Sequence, residues 1–206
     1  MAAFWLDTLA DFLVGFRFEQ LKPATVEQTS YVILDTMGAI AGGAAEPEMQ
    51  ALTAKLTVSP VGEASVIGTG KKAVSAAAAF LNGTAGTFLE MDEGNRFAKG
   101  HPSIHVLPAL WALAEIKGLS GKAAMEALVL GYEVGARIGI AAAMRPDMHP
   151  HGTWGTVGAA AAVAKLLGYD SARMRETINV ASSLTLATSK RTMLEGGTVR
   201  NAYAGI

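Results

Sequence analysis

Apolar residues at Trp5, Leu6, Leu9, Phe12, Leu13 and Phe16 recur at spacings of three and four, the period of an amphipathic helix. Pro23 precedes a second such pattern, in which Val26, Tyr31, Ile33, Leu34, Met37 and Ile40 predict a helix over Ala24–Ala41 that Gly42 and Gly43 end. Pro47 opens a third helix to about Thr57. Between Pro60 and Lys72, the run Ala64–Gly68, flanked by Gly62 and Gly70, is the one candidate for an extended segment. Helical patterns resume over Ala73–Leu89, Ile104–Lys117, Lys122–Met144, Thr156–Leu167 and Ser171–Ala187. Eight helical segments and at most one short strand predict an all-α fold, because the strand–helix alternation of a parallel sheet is missing.

Composition adds a packing argument. The 206 residues include 38 Ala and 23 Gly, so close to a third of the chain has almost no side chain. Gly131, Gly135 and Gly139 form a row of spacing four within one helix, and Ala159–Ala162 with Ala164 line another. Neighbouring helix axes can then approach closely, which is reason enough to tolerate helical glycine. The length allows one large domain or two small ones, and 50% hydrophobic with 17% charged residues is enough for a substantial core.

Charge and cysteine exclude several functions. A formal net charge of −1 provides no basic footprint for nucleic acid or an anionic membrane surface, so neither is expected as a partner. The stretch Met1–Asp7 has no basic n-region and does not resemble a secretory signal. Ala123–Met144 carries Glu126, Glu133 and Arg137, and Gly155–Gly168 is too short to cross a bilayer, so neither reads as a membrane span. Zero cysteine rules out disulfides, iron–sulfur ligation and a thiol nucleophile, and fits a cytoplasmic location.

The candidate chemistry is concentrated. All four histidines fall in two Gly- and Pro-punctuated stretches, Glu90–His105 and Met148–Thr156, where loops on a helical scaffold can present polar groups. They bring together carboxylates (Asp92, Glu93), imidazoles (His101 and His149 first, His105 and His151 second), and amides at Gly152 and Thr153. Cations are near in sequence at Arg96, Lys99, Lys190, Arg191 and Arg200. This set suits proton abstraction next to a carboxylate and contains nothing for redox chemistry. No metal is expected: Pro102 biases His101 away from helical geometry, so His101 and His105 need not share a face, and no known ligand spacing occurs. Gly152, Gly155 and Gly158 open a helix, but without a preceding strand they do not make a dinucleotide or phosphate loop.

At these residues the sequence resembles the MmgE/PrpD family, which includes 2-methylcitrate dehydratase, cis-aconitate decarboxylase and iminodisuccinate epimerase. The resemblance is carried by Val66-Ile-Gly, Asn82-Gly-Thr before Leu89-Glu-Met-Asp92, Gly100-His-Pro102, Gly131-Tyr-Glu-Val-Gly135, His149 before Gly152-Thr-Trp-Gly-Thr-Val-Gly158, and Glu195-Gly-Gly-Thr-Val-Arg200. It implies a two-domain, homodimeric enzyme that needs no cofactor, with a large helical domain, into which residues 1–206 fall, and a smaller α+β lid that is expected to be absent from this chain. It also implies catalytic roles for Asp92, His101 and His149, with Arg200, Arg96, Asn95, Lys190, Gly152 and Thr153 around a small di- or tricarboxylate. Arg200 stands where the family often has Lys, replacing a point charge by a bidentate fork. Dehydration is the first expected reaction, ahead of epimerisation and decarboxylation. A catalytically inactive helical module is the alternative from another functional class.

Overall fold

Among the residues that the computed structural model describes, 4–57, 62–186 and 188–206, ten α-helices and one two-stranded hairpin follow in the order α1 Trp5–Gly15, α2 Pro23–Ala44, α3 Pro47–Leu56, β1 Ala64–Val66, β2 Lys71–Ala73, α4 Ser75–Gly86, α5 Pro102–Lys117, α6 Gly121–Ala141, α7 Trp154–Leu166, α8 Ser171–Ser183, α9 Lys190–Leu194 and α10 Ala202–Gly205. The readings placed on residues 1–3, on Pro60 and on Ala187 lie outside them. The all-α expectation holds. Local chemistry sets the helix starts: proline occupies the first turn of α2, α3 and α5, where no amide partner is needed. Ser120, Asp170 and Ser189 cap α6, α8 and α9 by accepting from the amides of Ala123, Arg173 and Arg191. Gly118, in the left-handed region at φ 60°, ends α5.

α5 is the axis of the domain. Its residues Pro102 to Pro108 are buried without a break, as expected of a helix that is apolar on every face. α4, α6 and α7 surround it, and one buried cluster joins Ile40, Leu81 and Ile104 while another joins Val106, Leu110, Leu128 and Ala162. α1 and α8 close the far side of α6 and α7 through Leu6, Leu13, Met174 and Ile178. There Lys165, paired with Glu126 at 3.1 Å, donates to the carbonyls of Leu13 and Phe16 at 2.8 and 2.6 Å and ties down the end of α1.

The small residues sit where helix backbones meet. A Cβ on Gly131 would lie 2.6 Å from the Gly158 carbonyl oxygen and 2.8 Å from the Ala162 Cβ, and one on Gly139 would lie 2.9 Å from the Trp154 indole nitrogen. The Gly131/Gly135/Gly139 row is therefore the seam against α7.

Two sequence expectations need correction. Gly42 and Gly43 do not end α2, which runs on to Ala44: a side chain at Gly43 would collide with the Ala85 carbonyl, so this glycine is a contact with α4 rather than a stop. The single extended segment is half of an antiparallel hairpin, with Ala64 opposite Ala73 and the turn made by Gly68 and Gly70 at φ 79° and 68°. Lys71–Ala73 is therefore strand, and α4 starts at Ser75. Asn82 holds the hairpin, accepting from the Ile67 amide at 2.9 Å and donating to the Ser65 carbonyl at 3.0 Å. The loop between α6 and α7 begins and ends earlier than the pattern implied, because α6 ends at Ala141 rather than Met144 and α7 starts at Trp154 rather than Thr156.

Gly131→Ala overpacks the α6–α7 seam and is expected to destabilise the protein by about 1–3 kcal/mol. Gly38→Ala, at an α2 position with open space around it, should stabilise by roughly 0.5–1 kcal/mol. Urea unfolding of the two variants checks this; equal effects would show that the seam is not close-packed.

Candidate active site

Two loops and one turn converge at the N-terminal end of α5. The first loop, 87–101, joins α4 to α5 and is folded by Asn95, whose backbone pairs with Gly100 and whose Oδ1 accepts from the amides of Phe97 and Ala98, both at 3.0 Å. The side-chain oxygen of Asn95 is thus committed to its own loop. Asp92 is buried, and its Oδ2 lies 3.1 Å from Nδ1 of His101, the residue that precedes α5. Glu93 turns the other way, accepting from the Tyr132 hydroxyl at 2.6 Å and the Ser103 amide at 3.1 Å. The two neighbouring carboxylates, grouped in the sequence reading, are separated in space. Burial raises the pKa of Glu93.

The second loop, 142–153, carries His149 and His151, and the segment after α8 pins it. The His149 amide donates to the Thr188 carbonyl at 2.9 Å, Thr188 Oγ1 donates to the His151 carbonyl at 2.7 Å, and the Leu186 amide donates to the Gly152 carbonyl at 2.6 Å. Gly152 is left-handed at φ 82°. The Thr153 amide and hydroxyl both turn back to the Pro150 carbonyl, so this helix start offers no free amide at Thr153. Gly155 and Gly158 belong to packing: a side chain on Gly155 would strike the His105 ring, and one on Gly158 would meet the Gly131 carbonyl oxygen at 2.5 Å.

The result is a stack of imidazoles. His151 is its hub, edge to face with His149 at 4.6 Å between centroids, His105 at 4.9 Å and His101 at 5.2 Å. His105 projects from within α5, and Tyr203 meets His149 at 6.0 Å. Both ring nitrogens of His151 and Nε2 of His105 are buried without a hydrogen-bond partner. His149 Nδ1 accepts from the His151 amide at 3.1 Å.

Charge in this stack is unequally divided. The Asp92 carboxylate raises His101 to about 9, against the opposing effect of burial, so this ring is a cation at neutral pH. Burial lowers His105 to about 3 and His149 to about 4, and drives His151 well below its ordinary value. The charges of Arg200, His101 and Lys190 depress His149 further. Asp92, His101 and His151 are the one group among the described residues with a metal-ligand set, their donor atoms lying within 4.8 Å of one another. Asp92 stabilises the protonated form of His101, so an ion would have to displace that proton to use the ring.

Arg200 arrives on the turn Thr198–Asn201 that leads into α10. It is buried, donates to the Thr87 carbonyl at 3.4 Å and pairs with Glu90. Lys190 is half-buried, and its charge reaches His149. Arg96 is exposed and lies over Phe97, away from the stack. Glu90, Thr188, Tyr132 and Tyr203 are not among the candidate residues of the sequence; Glu90 and Tyr132 carry a signal there, Glu90 standing two residues before Asp92 and Tyr132 lying within Gly131-Tyr-Glu-Val-Gly135.

The family profile described as the MmgE/PrpD N-terminal domain matches residues 7–204. The chain belongs to the MmgE/PrpD family. Among its relatives, cis-aconitate decarboxylase of Aspergillus terreus is 30% identical over 91% of this chain and 40% of its own length. Human cis-aconitate decarboxylase is 31% identical over 86% of the chain and 39% of its own length, and the cis-aconitate decarboxylase-like protein oryM of Aspergillus oryzae is 31% identical over 79% and 37%. The chain thus spans about two fifths of the length of these MmgE/PrpD proteins. No helix among the described residues is long and apolar enough to cross a membrane.

The divided charge makes stability depend on pH. The lowered groups stay neutral in the fold while the unfolded chain takes up protons, so their stabilisation is present above about pH 6.5 and is lost as pH falls towards 4 and 3. His105 alone accounts for a loss of about 3 kcal/mol at pH 4. His101 has the opposite sign: its contribution is full below about 6.5 and disappears as pH rises through about 9. His105 alone is expected to take roughly 6–12 °C off the melting midpoint between pH 7 and pH 4, with His149 and His151 adding to that drop, so the acid loss should be smaller but not abolished in His105→Leu; the midpoint should fall again through pH 9. Calorimetry checks this; a midpoint unchanged from pH 7 to pH 4 contradicts it.

Proposed function

We propose that the protein is a lyase acting on a small di- or tricarboxylate by proton transfer next to a carboxylate. The observation that carries this reading is the geometry: His101 lies 3.1 Å from a buried carboxylate, beside three buried imidazoles and a buried guanidinium. An acid and a base of the same chemical type, with pKa values pushed apart, can both be in their working forms at neutral pH.

In this reading Arg200 takes a substrate carboxylate in its planar fork, with Lys190 adding charge nearby. In a dehydration, neutral His149, once its Nδ1 is released from the His151 amide, uses that lone pair to remove the proton on the carbon next to that carboxylate, and His101 protonates the departing hydroxyl. In a decarboxylation, the bond between carbon and the leaving carboxylate breaks, its electron pair moves along the adjacent double bond, and His101 protonates the far carbon. Asp92 keeps His101 charged in either case and acts as a positioning residue. The sequence ranked dehydration first; the names of the relatives make decarboxylation of cis-aconitate the first reaction to assay, followed by dehydration of citrate-like acids.

His149→Gln is expected to lower kcat by about 100-fold or more, the usual contribution of a general base. Asp92→Asn should lower kcat similarly at pH 8 and move the alkaline limb of the pH profile from near 9 to below 7, because His101 then loses its counter-charge. Turnover of the best substrate within about threefold of the native value in both variants, or no turnover of any such acid by the native protein, removes this reading.

A further inference from the structure

We propose that Glu90 is a resident carboxylate that occupies Arg200 until a substrate carboxylate displaces it, and so selects acids with more than one carboxylate. This inference rests on the reading of Arg200 as the substrate's anchor. Arg200 is a buried cation whose fork is filled from within the chain by the Glu90 carboxylate and the Thr87 carbonyl. The two partners of the ion pair are not equally held. The Arg200 side chain is 11% exposed and the Glu90 side chain 53%, so Glu90 is the partner that can swing into water, and the buried Arg200 it leaves then needs another carboxylate. Glu90 has no other ion pair or side-chain hydrogen bond among the described residues.

The backbone points to the same contact. Glu90 is in the left-handed region at φ 55°, a conformation that side chains other than those of Gly, Asn and Asp adopt uncommonly. It is two residues from Asp92, which the same loop holds on His101. Arg200 and the acid are therefore linked through one short stretch of chain, with a carboxylate at the place where a substrate carboxylate would sit.

A tethered carboxylate competes at a high effective concentration, in the millimolar range for short flexible tethers. An acid with one carboxylate offers Arg200 no more than Glu90 already does. A di- or tricarboxylate brings further groups to His149, Lys190 and His101 and can win the exchange.

Titration calorimetry of cis-aconitate and of propionate against the native protein, Glu90→Gln and Glu90→Asp tests this. Asp keeps the negative charge but is one methylene shorter, so contact and charge are separated. The expected result is about tenfold tighter cis-aconitate binding by both variants and measurable propionate binding only by the variants. Tighter binding by Glu90→Gln alone reduces Glu90 to a repelling charge and overturns the inference, as does weaker binding by both, which makes Glu90 a support for Arg200. Cis-aconitate binding equal in all three chains overturns it while leaving Arg200 as the anchor. Binding by none of them removes the carboxylate site, and this inference with it.

Discussion

Three imidazoles within 5.2 Å of a fourth cannot all be charged together with it in an interior with few compensating groups, and the 3.1 Å contact between Asp92 and His101 decides which ring is. The proton stays where a carboxylate can balance it. His151, at the hub, has no partner for either ring nitrogen, and His105 has none for Nε2, so a proton on either would be an unpaired buried charge. The positive fields of His101 and Arg200 discourage a second proton further. His101 is also the ring that reaches the surface, with 31% of its side chain exposed against 2% for Asp92. The cationic end of the stack is thus its most exposed end.

The helical packing exists in a form that permits this stack. His105 can lie inside α5 because Gly155 leaves room for its ring, and Trp154 can lie beneath the first loop because Gly100 and Gly139 leave room for the indole. The α6–α7 seam brings the second loop against the start of α5 by the same means, through Gly131 and Gly158. High glycine and alanine content is then a condition of the site as well as of the fold. The cost of helical glycine is offset by contacts that no larger residue allows.

Much of this was legible in the sequence, and the gaps have physical causes. Helix periodicity located every long helix, because α1 to α8 bury one face or all faces at a fixed spacing. It failed at Lys71–Ala73, where three residues are too few to show a period and the hairpin depends on Asn82 from a later helix. It failed again at Gly43, because whether a glycine stops a helix or lets another approach depends on a partner distant in sequence. In the site, clustering of His and Asp marked both loops. It did not separate Asp92 from Glu93, since adjacent residues face opposite ways only once the loop is folded. Nor did it show that Thr188 pins the histidine loop or that Glu90 meets Arg200, both contacts between segments far apart in the chain. Membership of the MmgE/PrpD family was legible in the order of short motifs, each weak by itself.

The stack is expected to hold one positive charge, on His101, at neutral pH. Long-range proton–nitrogen NMR of the four imidazoles in the native protein at pH 7 reads it directly, because cationic and neutral rings differ in their nitrogen shifts. One imidazolium, assigned to His101, and three neutral rings at His105, His149 and His151 is the predicted spectrum. A neutral His101, or a second cationic ring, would contradict the account.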